Sequence, residues 1–245
     1  MKHSPLSFAV TSYVLTMSAW ASDRLFGHPN LSHSDNLTLS WLWKPTIQAQ
    51  IQLSQGQHYK AFLWGDSISQ GIHFGDGTVN FALGGLSSIS LVEQLKLHQA
   101  AKIQCPHAIL AIGTNDAMYG TPDEVFLNNL EGAIALVRSM GAVRVTLVAA
   151  FYATLPASQN TWLAGSNERI KEINHLIQQV AYKEQVEFVI DELQPLFDED
   201  TLHLNVTHDG VHLNHHGQAI LQDVIVTLLD CAPHSLATSA QNPLL

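Results

Sequence analysis

Positive charge is scarce in this chain. Eleven Lys and Arg stand against 21 Asp and Glu in 245 residues, a formal net charge of -10. A field of that sign opposes a nonspecific grip on nucleic acid or on anionic lipid, and nucleic acid is set aside as a partner. Cysteine is scarcer still. Cys105 and Cys231 are too few for a disulfide scaffold, and they lack the paired spacing of a structural zinc site. No internal repeat organises the chain. Beyond the first residues, no apolar run reaches the roughly 20 positions that a bilayer-spanning helix needs.

What is present begins with an ambiguous start. Met1-Lys2-His3, the mostly apolar stretch Leu6 to Met17 and Ala19-Trp20-Ala21 imitate the basic, apolar and small-residue zones of a secretory signal. Ser7, Thr11, Ser12 and Thr16 dilute the apolar zone, so residues 1–21 read either as a signal or short anchor, or as an ordinary amphipathic helix. The first reading sends the protein to the periplasm or outside, and the second leaves it in the cytoplasm. Membrane contact is expected only through this N-terminal segment. Residues 22–57 are polar, with Gly27, Pro29 and Pro45 as breakers, and read as an N-terminal extension. Within it Ile47, Ala49, Ile51 and Leu53 alternate with polar residues, which predicts a half-buried strand. Trp41 and Trp43 suit an extension packed on the core, or a lid or membrane dock.

The main domain is expected over residues 58–231, with 232–245 as a flexible tail. Short apolar runs alternate there with longer segments of helical period, the rhythm of parallel strands joined by helices. Strands are predicted at Tyr59 to Trp64, Thr78 to Phe81, His107 to Ile112, Val143 to Ala150 and Val186 to Ile190. Helices are predicted at Leu86 to Gln99, Pro122 to Met140, Ser166 to Lys183 and His215 to Leu229. The fold class is α/β, a three-layer α/β/α sandwich around a flavodoxin-like five-stranded parallel sheet. Cys105 and Cys231 then fall at the sheet edge away from the strand ends that carry chemistry, either bridged or as two buried thiols.

Three blocks follow the first three strands, Gly65-Asp66-Ser67, Asn80 to Gly85 and Gly113-Thr114-Asn115-Asp116, and a fourth, Asp209-Gly210-Val211-His212, immediately precedes the last helix, whose start lies at the same edge. Open parallel sheets bind ligands at their carboxyl edge, so the blocks converge on one cleft. A serine hydroxyl needs an adjacent base, and His212 can take the Ser67 proton and later return it. Asp209, three residues before it, can fix its tautomer and stabilise the imidazolium. Attack on a carbonyl puts negative charge on oxygen, and three donors are available to hold it: the backbone N–H groups of Ser67 and Gly85 and the side-chain amide of Asn115. The Gly-x-Ser-x-Gly elbow of α/β-hydrolases is missing, since Ser69 stands two after Ser67.

The four blocks resemble the SGNH hydrolase superfamily, also called the GDSL esterases and lipases, over roughly Tyr59 to Leu229. The resemblance implies Ser67 as nucleophile, Gly85 and Asn115 in the oxyanion hole, and Asp209 and His212 as acid and base. Gly84 rivals Gly85, but the family's asparagine, four residues, glycine fits Asn80 with Gly85. It also implies a structural role for Asp66, and Asp116 is expected to bond neighbouring loop groups. Only 18 positions separate Ser67 from Gly85, short for the family, so the first crossover is abbreviated and the cleft open on that side.

The expected activity is a serine esterase cleaving acyl or acetyl esters through an acyl-enzyme on Ser67, with a small-molecule, glycan or lipid ester as substrate. An O-acyltransferase using the same residues, or a noncatalytic glycan-binding module, is the alternative. No cofactor and no catalytic metal is expected, although His203, His208, His212, His215 and His216 crowd one stretch. His73 and Tyr119 are read as cleft walls, Asn167 as a helix cap, and 68–78, 117–122 and 153–165 as specificity segments.

Overall fold

The computed structural model describes residues 35–72 and 77–230. The readings of residues 1–21, His73, the 232–245 tail and a Cys105–Cys231 pair fall wholly or partly outside that range. Five parallel strands form the central sheet: β1 (Ala61–Gly65), β2 (Thr78–Asn80), β3 (His107–Ala111), β4 (Arg144–Val148) and β5 (Glu187–Val189). Their order is β2-β1-β3-β4-β5, the flavodoxin-like arrangement. β1 and β3 are buried along their whole length, as parallel strands covered on both faces must be. They pair with Phe62 opposite Ala108 and Trp64 opposite Leu110.

The helices are α1 (Trp43–Ser54), α2 (Ser88–Ala100), α3 (Thr114–Tyr119), α4 (Asp123–Ser139), α5 (Leu155–Ser158), α6 (Asn167–Glu184) and α7 (His215–Asp230). α1, α2, α4 and α6 pack side by side in series. α7 packs apart from them, on the 3-10 segments at 191–196 and 204–206. A short antiparallel pair, β6 (Phe197–Asp198) with β7 (Thr201–Leu202), follows the sheet. Among the described residues no helix is long and apolar enough to cross a membrane.

α1 corrects the strand expected at Ile47 to Leu53. Its buried positions are Trp43, Thr46, Ile47, Gln50, Ile51 and Ser54, spaced three and four apart as on one helix face. Pro45 sits in the first turn, where its missing N–H would have had no helical partner. Gln50, polar in the sequence pattern, is fully buried, with its amide on the Phe81 carbonyl at 3.3 Å. Gln94 from α2 joins it, donating to Gln50 Oε1 at 2.8 Å and to Phe81 O at 3.1 Å. These two side chains satisfy the backbone just beyond β2. Trp43 is buried in the core and Trp41 stands exposed.

Two carboxylates hold the start of α2. Ser87 caps it, accepting from Ile89 N at 3.1 Å, and Asp35 accepts from Ser90 N at 3.1 Å and from the Ser87 hydroxyl. Asp116, from α3, accepts from Ser88 N at 2.9 Å and Ser88 Oγ at 2.6 Å, the loop-bonding role expected of it. Acceptors at a helix N-terminus satisfy its free N–H groups, and through Asp116, whose carboxyl burial pushes up, they also tie α2 to α3.

Candidate active site

Ser67 lies two residues past the end of β1, on a tightly packed turn. A Cβ on Gly65 would meet Ser69 Cβ and Oγ at 2.8 Å, so only glycine lets the chain turn there. Asp66 is buried, and its Oδ1 accepts from Ile68 N at 3.0 Å, consistent with a structural role. Burial pushes its carboxyl up to about 6, opposed by the Ile68 N–H, the His212 side chain and the Thr114 hydroxyl. Thr114 Oγ1 in turn accepts from Phe151 N at 3.1 Å, which links the Ser67 turn to the ends of β3 and β4. Asn80 fixes the far side of the turn, donating to Ser69 O at 2.8 Å and Ile72 O at 3.1 Å.

The same asparagine accepts from Ala82 N at 2.9 Å and so leads the chain into the second block. Leu86 N donates to Leu83 O at 3.1 Å across a tight turn in which Gly85 has φ +80°. That conformation at the third turn position favours glycine, which distinguishes Gly85 from its neighbour Gly84. α3 grips this turn twice. Asn115 Nδ2 donates to Leu86 O at 3.1 Å, and Tyr119 Oη, one helical turn on, donates to Gly85 O at 3.2 Å. Neither Ser67 N–H nor Gly85 N–H donates to any described residue. Asn115 sits on the same turn as the Gly85 N–H.

The fourth block closes on Ser67. Asp209 Oδ1 accepts from Val211 N at 2.9 Å and His212 N at 2.7 Å, while its Oδ2 lies 2.7 Å from His212 Nδ1. His212 Nε2 lies 3.0 Å from Ser67 Oγ. Burial pushes the Asp209 carboxyl up, but the His212 side chain and the His212 and Val211 backbone N–H groups outweigh it, and the carboxyl sits below the usual carboxylate range. An ionised Asp209 places the imidazole proton on Nδ1 and leaves Nε2 to accept from the serine hydroxyl.

The turn is held from outside. Thr207 Oγ1 donates to His212 O at 2.6 Å and accepts from Gly210 N at 3.0 Å, and Thr154 N donates to Gly210 O at 2.8 Å. Asn214 Oδ1 accepts from His216 N and Gly217 N at 2.9 and 3.1 Å, capping α7 directly behind His212.

The structure therefore brings Ser67, Asp209 and His212 into one hydrogen-bonded chain and sets Asn115 on the Gly85 turn. His215 and His216 are exposed and His203 half-buried. The cap expected of Asn167 is not made by it. Ser166 caps α6, accepting from Arg169 N at 3.1 Å. Asn167 is buried and makes a two-way bond to Ala153, accepting from its N at 3.0 Å and donating to its O at 2.9 Å. Asn174 repeats the pattern on Ala150 at 2.7 and 3.0 Å. These two amides and Thr114 hold the segment after β4 that leans on Gly210. Their spacing from the motifs carries no sequence signal, and Tyr119, read as a wall, has a bonding role as well.

Residues 64–220 match the model of the GDSL-like Lipase/Acylhydrolase family. Among solved structures, a Streptococcus pneumonia protein named for platelet activating factor is 28% identical, with a TM-score of 0.63, covering 79% of this chain and 97% of its own. A GDSL-like lipase from Bacteroides thetaiotaomicron is 19% identical, with a TM-score of 0.64, covering 76% and 96%. An acetylxylan esterase from Geobacillus stearothermophilus, solved as a catalytic mutant, is 17% identical, with a TM-score of 0.55, covering 73% and 97%. The last two are distant enough to speak for the fold alone. No protein of curated function matches the chain.

Proposed function

The chain belongs to the GDSL-like lipase/acylhydrolase family, and from that premise we propose that it is a serine esterase working through an acyl-enzyme on Ser67. The observation that carries this reading is the relay from Asp209 through His212 to Ser67, with steps of 2.7 and 3.0 Å. Ser67 Oγ attacks the ester carbonyl as its proton passes to His212 Nε2. Asp209, held ionised, stabilises the imidazolium that forms. The oxyanion is received by the N–H groups of Ser67 and Gly85 and by the Asn115 amide.

Collapse of that intermediate expels the alcohol, which leaves with the proton from His212. Water then attacks the acyl-enzyme, giving its proton to the same nitrogen, and the acid departs as Ser67 is restored. The residues needed are all on this chain, and the steps require no cofactor.

A p-nitrophenyl ester series from acetate to palmitate, run beside Ser67→Ala, tests the proposal. Turnover that disappears in the folded variant is the expected result, and the chain-length optimum assigns the acyl group. Full activity in Ser67→Ala would sink the mechanism.

A further inference from the structure

His208 is the one member of the 208–212 turn with a metal-ligating side chain that the relay does not use. Its Nε2 lies 3.7 Å from Asp209 Oδ2, the same oxygen that lies 2.7 Å from His212 Nδ1. The donor atoms of His208, Asp209 and His212 all fall within 4.8 Å of one another. We propose that these three side chains form an inhibitory site for a borderline transition-metal dication, Zn2+ above all, which silences the enzyme by capturing His212 Nδ1. The inhibition rests on the esterase reading; the binding does not.

Two imidazoles and one carboxylate are ligand types that zinc takes readily, at about 2.0–2.2 Å each. Tetrahedral coordination at those lengths sets the donors about 3.3 Å apart, so the 2.7 Å pair opens and the 3.7 Å pair closes by about half an ångström, and the two imidazole donors, within 4.8 Å, close by at most about 1.5 Å. The backbone already presents the histidines together. Thr207 and Leu213 form an antiparallel bridge, His208 N donates to His212 O at 3.3 Å, and the two rings stack 6.1 Å apart and 22° from parallel. The side chains are 60%, 44% and 41% exposed for His208, Asp209 and His212, so a hydrated ion can reach them. The net charge of -10 favours its approach.

The consequence follows from proton bookkeeping on one imidazole. In the relay, the neutral ring carries its proton on Nδ1 and presents a lone pair from Nε2 to Ser67. When the metal takes the Nδ1 lone pair, the ring's single proton moves through solvent to Nε2. No proton is gained or lost, but Nε2 becomes a donor and can no longer accept from the serine hydroxyl. Asp209, now a ligand, can no longer orient the base. The metal here opposes the chemistry and takes no part in it.

The test uses the purified full-length protein and His208→Ala. ZnCl2 binding is measured by calorimetry and Co2+ binding by visible absorption, neither of which needs activity. Hydrolysis of p-nitrophenyl acetate is followed in parallel, each protein scaled to its own metal-free rate, with EDTA added at the end. The expected result is Zn2+ binding weakened at least ten-fold in His208→Ala, with half-inhibition moved to at least ten-fold higher Zn2+ and reversed by EDTA. Equal affinity and equal inhibition in both proteins would overturn the site, and tight binding without inhibition would overturn its inhibitory role. A protein that cleaves no ester yet loses metal affinity in His208→Ala keeps the site and refutes the esterase reading instead.

Discussion

Tyr119 Oη donates to the carbonyl of Gly85 at 3.2 Å, across 34 positions of sequence. The hydroxyl holds the peptide plane that follows the turn residue whose own N–H faces no described acceptor. Tyr119→Phe keeps the ring and frees that carbonyl. A single hydrogen bond of this kind is worth about 1 kcal/mol, so kcat should fall about five- to ten-fold with KM nearly constant. A change in KM alone would assign Tyr119 to substrate binding and remove it from the turn's support.

Asn115 gives one amide hydrogen to Leu86 O, and in the proposed mechanism the other serves the oxyanion. Asn115→Ala should lower kcat by on the order of 10²–10³ while leaving the far-UV spectrum intact. Steady-state kinetics on a short-chain ester reads this directly. A loss of less than ten-fold would take the side chain out of the oxyanion hole.

Asp66 makes the folded protein sensitive to pH in a definite direction. Burial raises its carboxyl from 3.8 to about 6, so the folded state holds a proton that the unfolded chain gives up. Its favourable contribution is therefore complete below pH 4 and lost as the pH rises to about 6, a change of roughly 3 kcal/mol. Asp66→Asn keeps the acceptor for Ile68 N and removes the titration. Thermal melts across pH 4–7 should show the variant gaining on the parent as pH rises. Parallel curves would contradict the buried, proton-holding Asp66.

Leu155, Trp162 and Leu163 stand 59%, 66% and 43% exposed on the segment after β4. That segment leans on the 208–212 turn, since Ala153, Ala157 and Ala164 pack with Val211 beside His212. An acyl chain leaving the serine in this direction would cover these side chains. Trp162→Ala should then reduce kcat/KM for octanoate about ten-fold more than for acetate. Equal losses on both esters would place Trp162 away from the acyl path.

β1 and β3 were legible because parallel strands buried on both faces make unbroken apolar runs, as at Phe62 to Trp64 and Ala108 to Ala111. α1 was not, because Ile47 and Ile51 satisfy a two-residue period and a helical one alike. What decides between them is Gln50, whose burial depends on Phe81 O and Gln94, distant in sequence. The relay residues announce themselves through residue type and order. Their supports do not: Asn167 looks like a cap one position from the true cap, and its bond to Ala153 exists only once the segment after β4 meets the start of α6.

The most direct measurement is the mass and position of the adduct that a fluorophosphonate leaves on the purified protein, beside His212→Ala. One adduct per chain is expected, mapped to Ser67 and forming at least 10³-fold more slowly without His212. An adduct elsewhere, none on the folded protein, or a rate indifferent to His212 would contradict the proposed mechanism.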